Sequence, residues 1–434
     1  RLRLTPADAL DPSTSVTVTL VRDKILLRDQ QARAPIVLVP GKDGPDRRLG
    51  VIKLPSFYAR VGPSGGESTT RDVGILLDYL KLQNVDGLIL DLRDNGGGSL
   101  EEAVNMTGLF TGGGPVVQVR DHSGKVRTLS APGNGPAYTG PLLALNSRFS
   151  ASASEIVSAA LQDYMRAVLV GEKSTFGKGT VQTVAELDQY MPQALRQYKA
   201  GGLRLTIQKF YRVSGGSTQN RGVPPDITLP SLNDHLDMAE SSLPNAMVYD
   251  QLPPAAYKPV GVVAAPELAR LRAASEKRVA AAPDFKFVRQ DIALYLERKK
   301  EKTVSLNYAR RLAERKEDEA RKTRRNKERA ARGIPPLSVT GITLKDIEAG
   351  KPLVLNSTAA MEVSLSSGPV KAASVPVLPV SSAAAEGGGY AKAPAAVDFV
   401  LEEAARVLSD LIVFQPAASS GGRKSAGGRV AGKR

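Results

Sequence analysis

"VDGLILDLRDNGGGSLEEAVNMTGLF", residues 85–110, joins an apolar run, three consecutive glycines and a helical pattern. The apolar run has the length of a buried strand, and Ser99 with Glu102 three residues later predicts a capping box at the start of a helix. Glycine between a strand and a helix allows a sharp turn and a close approach of the backbone to a ligand. This stretch therefore predicts a strand, a glycine turn and a helix, the repeating unit of α/β proteins.

The sequence on both sides of this stretch repeats the alternation of strands and helices. Thr69 or Thr70 can cap a helix in "STTRDVGILLDYLKLQN", residues 68–84, and "SEIVSAALQDYM", residues 154–165, predicts another. Prolines in "GVPPDITLP", residues 222–230, indicate the end of this region. We therefore predict an α/β core with a mixed sheet and flanking helices.

The composition changes twice after the predicted core. Residues 266–333 are rich in Ala, Arg, Glu, Lys and Leu at helical spacing, which predicts a helical domain over 233–350. Beyond it Ala, Ser, Gly, Pro and Val dominate, and we predict a low-complexity, largely disordered tail over 351–434. One amphipathic segment, "VDFVLEEAARVLSDLI" at 397–412, interrupts this tail.

The composition also excludes some classes of site. The chain of 434 residues has no cysteine, which excludes thiol catalysis, disulfides and cysteine-ligated metal sites. No apolar run approaches the roughly 18 residues needed to cross a bilayer.

The net charge of +15 is concentrated in two places. Residues 298–332 contain fifteen Lys or Arg and six Asp or Glu, and the last fifteen residues contain five Lys or Arg and no acid. A solvated helix face with a disordered end is one interpretation, and contact with anionic lipid or another polyanion is the alternative.

"RFSASASEI", residues 148–156, offers Ser150, Ser152 and Ser154 where a strand is predicted to meet a helix. A serine nucleophile needs an exposed, constrained turn, and a helix N-terminus directs free N–H groups toward negative charge. The glycines at 96–98 would supply a second N–H donor for the oxyanion of a tetrahedral intermediate. Helix capping by the serines and a structural glycine turn are the alternatives.

A serine nucleophile also needs a base, and the chain has two histidines, His122 and His235, in polar segments typical of the solvated surface. Lysine can act as a base if burial lowers its pKa from about 10.4 toward neutrality. Lys178 lies between two glycines in "TFGKGTVQ", residues 175–182, and Gln182 can hydrogen-bond its amine. An exposed structural turn is the alternative interpretation of this segment.

"LRDNGGGSLEEAV", "FSASASEI" and "TFGKGTVQ", in this order, resemble the carboxyl-terminal processing proteases, and in particular the bacterial tail-specific proteases. "IQKFYRVSGGSTQNRGVPPDI" resembles the end of that family's protease core, and "KTVSLNYA" resembles its helical C-terminal domain. The resemblance extends from the first residue to about residue 340. It implies a serine endopeptidase that cleaves exported proteins and recognises nonpolar C-termini.

The resemblance also implies roles for individual residues. By position, Ser152 corresponds to the nucleophile, Lys178 to the general base and Gln182 to the residue that orients the lysine. The assisting positions are an oxyanion hole, formed by Gly98 and the amide of Ala153 with Gly97 as a further candidate, and two supporting acids, Glu155 and Asp163. Neither a metal ion nor another cofactor is expected.

The resemblance implies that residues 1–36 are the C-terminal remnant of a PDZ domain and that 37–232 form the serine–lysine protease core. Such proteases carry a complete PDZ domain before the core, so we expect this sequence to be a piece of a longer protein. "GEKSTFGKG", residues 171–179, is one residue longer than the family's usual "GEPTFGKG", which is expected to shift the lysine slightly.

The expected partners are protein or peptide substrates with nonpolar C-termini and an adaptor lipoprotein, in the periplasm. The basic segment at 298–332 adds weak contact with the inner-membrane surface to these expectations, and no nucleic acid is expected. Two alternatives to an active endopeptidase stay open. In the first, the chain is a truncated, catalytically impaired protease that acts as a binding or scaffold protein. In the second, it is a polyanion-binding protein that uses residues 298–332.

Overall fold

The computed structural model describes residues 1–6, 9, 11, 13–21, 31–41, 45–59, 68–198, 200–332, 338–340, 343–350 and 398–414. The strands of this part are β1 (Leu2–Leu4), β2 (Val16–Val18), β3 (Ile36–Val39), β4 (Arg47–Lys53), β5 (Gly87–Asp91), β6 (Gly114–Asp121), β7 (Val126–Ala131), β8 (Leu142–Asn146), β9 (Val168–Gly171), β10 (Thr180–Glu186), β11 (Gly202–Tyr211), β12 (Ile227–Thr228) and β13 (Ser338–Thr340). The α-helices are α1 (Thr69–Leu82), α2 (Leu100–Thr111), α3 (Ala153–Asp163), α4 (Ala265–Ala281), α5 (Pro283–Lys300), α6 (Tyr308–Ala331), α7 (Leu344–Glu348) and α8 (Phe399–Phe414).

The central sheet has the strand order β12-β9-β8-β5-β4-β3-β13. Its pairs from β12 to β4 are parallel, whereas β3 pairs antiparallel with β4 and with β13. Side chains alternate between the two faces: Leu88 and Leu90 of β5 pack with α1, α2 and α3, and Ile89 packs with α4 and α8. The predicted α/β core with a mixed sheet and flanking helices is therefore confirmed.

A second, antiparallel sheet has the order β10-β11-β6-β7. β7 and β10 are largely exposed and carry no buried apolar run, so hydrophobic periodicity gives little signal for either strand. The pairing of β10 with β11 has a register shift between Val181 and Gln182. Such a bulge changes the direction in which the next side chain points.

One predicted helix cap is wrong, and a second is correct but lacks its predicted capping box. Ser68 caps α1, with its hydroxyl accepting a hydrogen bond from the Arg71 N–H, in place of Thr69 or Thr70. Ser99 caps α2 as predicted, but the Glu102 carboxylate does not complete a capping box there. It accepts hydrogen bonds from the Ser68 hydroxyl and from the N–H and hydroxyl of Thr70. The carboxylate thus joins the starts of two helices, a tertiary contact that a local motif does not encode.

The predicted helical region is confirmed by α4, α5 and α6. Helix α6 has no buried residue, and ion pairs attach it to α5: Arg325 to Asp291 at 2.7 Å and Arg329 to Asp284 at 2.6 Å. The guanidinium groups of both arginines also lie over the ring of Phe287. Several cations of the basic segment are therefore neutralised within the protein, which weakens the polyanion-binding alternative.

The amphipathic segment that interrupts the predicted low-complexity tail forms a packed helix, α8. Ala404, Ala405, Val407, Leu408 and Leu411 of α8 are fully buried against the sheet face that also carries α4. The helix lies so close to β5 that a Cβ at Gly87 would be 3.1 Å from a Leu408 methyl carbon. The rest of the predicted tail, 351–397 and 415–434, lies outside the described residues.

The N-terminal residues form a small separate pair of strands. β1 and β2 pair antiparallel and are mostly exposed, whereas β3 already belongs to the central sheet. The assignment of 1–36 to a PDZ remnant stays a prediction. None of the described helices combines the length and apolarity needed to cross a membrane.

Candidate active site

The three motifs meet because they follow three neighbouring parallel strands. The glycine turn, residues 92–98, follows β5. The serine turn, residues 147–154, follows β8, and the lysine loop, residues 172–179, follows β9. In the sheet, β8 lies between β5 and β9. Loops at the carboxyl ends of adjacent parallel strands share one edge of the sheet, which is where α/β proteins bind ligands. The topology therefore places Ser152, Lys178 and the glycines of 96–98 at one edge.

The structure distinguishes the three serines of the serine turn. Ser150 and Ser154 are fully buried, and their hydroxyls donate hydrogen bonds to the carbonyl oxygens of Leu92 at 2.9 Å and Asn95 at 2.8 Å. Ser152 is half-buried and has φ +56° and ψ −112°, an unusual conformation for a residue with a Cβ. Ser152 is therefore the serine available to a substrate, and the other two hold its turn in place.

The glycine turn packs directly on the serine turn. Gly97 has φ +103°, and a Cβ there would be 2.8 Å from the Cβ of Ser152. Gly98 has φ +144°, and a Cβ there would overlap the carbonyl oxygen of Phe57. Both positions therefore require glycine, for backbone conformation and for space.

The N–H groups of this region differ in availability. The Gly97 N–H donates to the side-chain oxygen of Asn95 at 2.9 Å. Within the described part of the chain, the N–H groups of Gly98 and Ala153 donate no hydrogen bond. This difference favours Gly98 and Ala153 over Gly97 as donors to an oxyanion.

Lys178 has the predicted glutamine partner and a lowered pKa. Its Nζ donates a hydrogen bond to Oε1 of Gln182 at 3.1 Å, and Gln182 comes directly after the register shift between β10 and β11. Burial lowers the pKa of Lys178 below its ordinary value, and the charge of Arg204 lowers it further, while Glu240 and Glu155 oppose the shift.

These residues line one cavity of about 220 Å³. Its polar lining includes Ser152, Lys178 and Gln182, and its apolar lining includes Leu100, Ile156, Val181 and Phe210. Gly98, Ala153 and Arg204 also border it, and neither histidine of the chain does. A serine hydroxyl, a lysine amine and two backbone N–H groups around one partly apolar cavity are groups that acyl transfer can use.

Glu155 joins the serine turn to the lysine loop. Its fully buried carboxylate accepts hydrogen bonds from the N–H of Ser152 at 2.9 Å, of Gly177 at 2.7 Å and of Lys178 at 2.9 Å. The Thr175 hydroxyl donates a fourth, at 2.6 Å. Burial raises the pKa of Glu155 to about 7 despite these donors. These hydrogen bonds give the predicted supporting role of Glu155 a physical basis, because its carboxylate positions the serine turn relative to the lysine loop.

Asp163 does not reach the cavity. It lies at the end of α3, ten residues and roughly 15 Å of helix from Ala153. Its carboxylate pairs with Arg212 at 2.6 Å and accepts a hydrogen bond from Ser214. Any support that it gives the site therefore acts through the position of α3.

Asn95 is a site residue that the sequence analysis missed. Its side chain donates to the Leu54 carbonyl oxygen and accepts from the Gly97 N–H, and its own carbonyl oxygen accepts from Ala151 and Ser154. Asn95 thereby connects the glycine turn to the serine turn. The available signal was an asparagine directly before three glycines, a residue type that often hydrogen-bonds nearby backbone in turns.

Gly97→Ala is expected to lower kcat for any reaction at Ser152 by about 10²-fold, because the added Cβ would displace the serine turn. The free energy of unfolding should fall by about 1–3 kcal/mol, since the backbone conformation is unfavourable for alanine. Gly96→Ala is the matched control, because nothing lies within 4 Å of a Cβ at that position. Equal losses in the two variants, measured by kinetics and urea unfolding, would contradict the role of Gly97.

Sequence comparison identifies two family matches. The sequence model of peptidase family S41 matches residues 48–229, and that of the C-terminal domain of tail-specific protease matches residues 233–413. The second match includes α8, so the resemblance extends well beyond the expected limit near residue 340. The helix in the predicted tail is therefore part of the matched C-terminal domain.

The chain is 41% identical over 353 residues to the tail-specific protease of Haemophilus influenzae, covering 80% of this chain and 48% of the relative. It is 31% identical over 223 residues to the chloroplastic C-terminal processing peptidase of Tetradesmus obliquus, covering 50% of this chain and 44% of the relative. A solved photosystem II D1 C-terminal processing protease is 31% identical with a TM-score of 0.38, over 50% of this chain and 52% of that one. The chain thus spans about half the length, or less, of these curated relatives.

Proposed function

This chain belongs to the carboxyl-terminal processing proteases of peptidase family S41, and we propose that it is a serine endopeptidase with Ser152 and Lys178 as its catalytic dyad. One observation carries the proposal: the half-buried serine, the lysine with a lowered pKa and its partner Gln182 line the same cavity. A serine without histidine needs such a base.

The geometry supports a two-step acyl transfer. The neutral amine of Lys178 takes the proton of the Ser152 hydroxyl, and Oγ attacks the carbonyl carbon of the scissile peptide. Gln182 accepts one amine hydrogen, which orients the lysine lone pair, and the N–H groups of Gly98 and Ala153 stabilise the oxyanion. The ammonium then protonates the leaving amine, and water hydrolyses the acyl-enzyme with Lys178 again as base.

The cavity also indicates which substrates fit. Its apolar lining suits an uncharged, apolar side chain next to the scissile bond. β10 is an edge strand of its sheet, so an extended peptide can pair with it and pass the cavity. We extend the proposal to exported proteins with nonpolar C-termini, because the 41% identical relative is a tail-specific protease.

A periplasmic location, an adaptor lipoprotein and contact of residues 298–332 with the inner-membrane surface belong to the same proposal. Their support is the family resemblance and the surplus of basic residues in that segment. The internal ion pairs of α6 limit the membrane contact to a minor contribution.

Hydrolysis of unfolded protein tests the proposal. The chain is expected to cleave labelled, denatured casein, and to cleave a peptide ending in Ala-Ala faster than the same peptide ending in Asp-Asp. Mass spectrometry of the fragments identifies the cut bonds, and Ser152→Ala is the blank. Cleavage that is equally fast with the blank would contradict the dyad. No cleavage by either protein would favour the catalytically impaired binding protein.

A further inference from the structure

The first residue of the C-terminal helical segment reaches the loop that leads to the glycine turn. Asp398 precedes α8, and its Oδ1 accepts a hydrogen bond from the Leu401 N–H at 2.9 Å. The same carboxylate accepts two hydrogen bonds from the Arg93 guanidinium, at 3.0 and 2.7 Å. A paired contact between a fork-shaped cation and a carboxylate fixes distance and orientation together.

Arg93 is held from its other side by β5. Its guanidinium donates to both carboxylate oxygens of Asp91, at 2.9 and 2.7 Å. The side chains are only 15% exposed for Arg93, 3% for Asp91 and 14% for Asp398. Because water is largely excluded, these charges interact more strongly than a surface pair would.

Arg93 belongs to the turn that sets the position of the glycines. The Asn95 N–H donates to the Leu92 carbonyl oxygen at 3.1 Å, with Asp94 at φ +62° between them. The next three residues are the glycines of 96–98. Asn95 in turn contacts Gly97 and the serine turn, so a displacement of Arg93 would reach both parts of the site.

We propose that Asp398 is a positioning residue for the oxyanion hole, acting through Arg93 on the turn that carries Gly98. Asp91 alone would leave one edge of the guanidinium unpaired, and the turn would sample further conformations. The C-terminal helix thus completes a site whose reacting groups all come from residues before 183. The expected loss of kcat rests on the proposed peptidase function, whereas the expected displacement of the glycine turn does not.

Asp398→Asn is the test, and Asp410→Asn is the matched control. Asp410 lies near the other end of α8 and pairs with Arg278 at 2.6 Å, so it docks the same helix without contacting the glycine turn. We expect both variants to lower the melting temperature by similar amounts. Only Asp398→Asn should lower kcat, by about tenfold, with KM changed less than twofold.

Hydrogen exchange supplies a readout that does not depend on activity. The amides of residues 94–98 should exchange faster in Asp398→Asn than in wild type. In Asp410→Asn their exchange rates should equal those of wild type. Equal kcat values in the two variants, or unchanged exchange at the glycine turn, would overturn the inference. If wild type shows no Ser152-dependent cleavage, the proposed function fails, and the exchange comparison still decides whether Asp398 positions the turn.

Discussion

Lys178→Ala is expected to lower kcat for peptide hydrolysis by about 10⁴- to 10⁶-fold, to the level of Ser152→Ala. No other side chain that lines the cavity offers a base for the serine proton: the guanidinium of Arg204 donates hydrogen bonds and has no acceptor, and neither histidine is among the lining residues. Because the two residues act as a unit, the double variant should be no slower than either single one. Initial rates with a quenched fluorescent peptide measure the effect.

Two variants separate loss of the base from loss of a charge. Lys178→Arg keeps a cation but cannot act as a base near neutral pH, so it should be as inactive as the alanine variant. Lys173→Ala, an exposed position in the same loop, should retain wild-type kcat. More than a tenth of wild-type activity in Lys178→Arg would contradict general-base catalysis by this lysine.

The pH dependence of kcat/KM in the wild type is a second test of Lys178 as the general base. Only the neutral amine accepts a proton, so kcat/KM should rise with pH through the pKa of Lys178. Burial lowers this pKa below that of an ordinary lysine, so the rise should occur at a correspondingly lower pH. A kcat/KM value that does not rise with pH anywhere below pH 10 would contradict the assignment.

The local part of this site could be predicted from sequence because each motif is short and follows a strand. The glycine turn, the serine turn and the lysine loop each carry residue types that chemistry requires. Their meeting depends on β5, β8 and β9 being neighbours, and alternating strands and helices predict parallel pairing without giving the strand order. The family resemblance supplied what the periodicity could not.

Long-range contacts account for what the sequence did not reveal. Glu102 has the spacing of a capping box but bonds to Ser68 and Thr70, over thirty positions earlier. In the sequence, helix α8 is an isolated amphipathic segment within a low-complexity region. Its burial follows from packing against one face of the central sheet, which the local sequence does not reveal. Asp398 and Arg93 are 305 positions apart, and no local pattern relates them.

Glu155→Ala is expected to lower the free energy of unfolding by about 3 kcal/mol and kcat by about 10²-fold. The substitution leaves three backbone N–H groups and the Thr175 hydroxyl without their acceptor in the interior. The serine turn and the lysine loop would then lose their shared anchor. Ser158→Ala, which removes one buried hydrogen bond on the same helix, should cost about 1 kcal/mol with kcat unchanged.

Glu155→Gln should be milder and should change how stability depends on pH. The amide oxygen can face Ser152 and Lys178, whereas the amide NH2 would then oppose the Gly177 N–H and require the Thr175 hydroxyl to change from donor to acceptor. Because burial raises the pKa of Glu155 to about 7, the folded state binds more protons than the unfolded state between the ordinary value of 4.5 and 7. Wild-type stability at this site therefore falls as pH rises through that interval, by up to about 3 kcal/mol.

Glutamine does not titrate, so this fall should be missing from the variant. In urea unfolding, the stability difference between wild type and Glu155→Gln should be larger at pH 5 than at pH 8. The same pH dependence of stability in both proteins would contradict the raised pKa of Glu155 and its burial in the folded state. A buried carboxyl group that carries this cost in stability is consistent with its use for holding the Ser152 and Lys178 backbones in place.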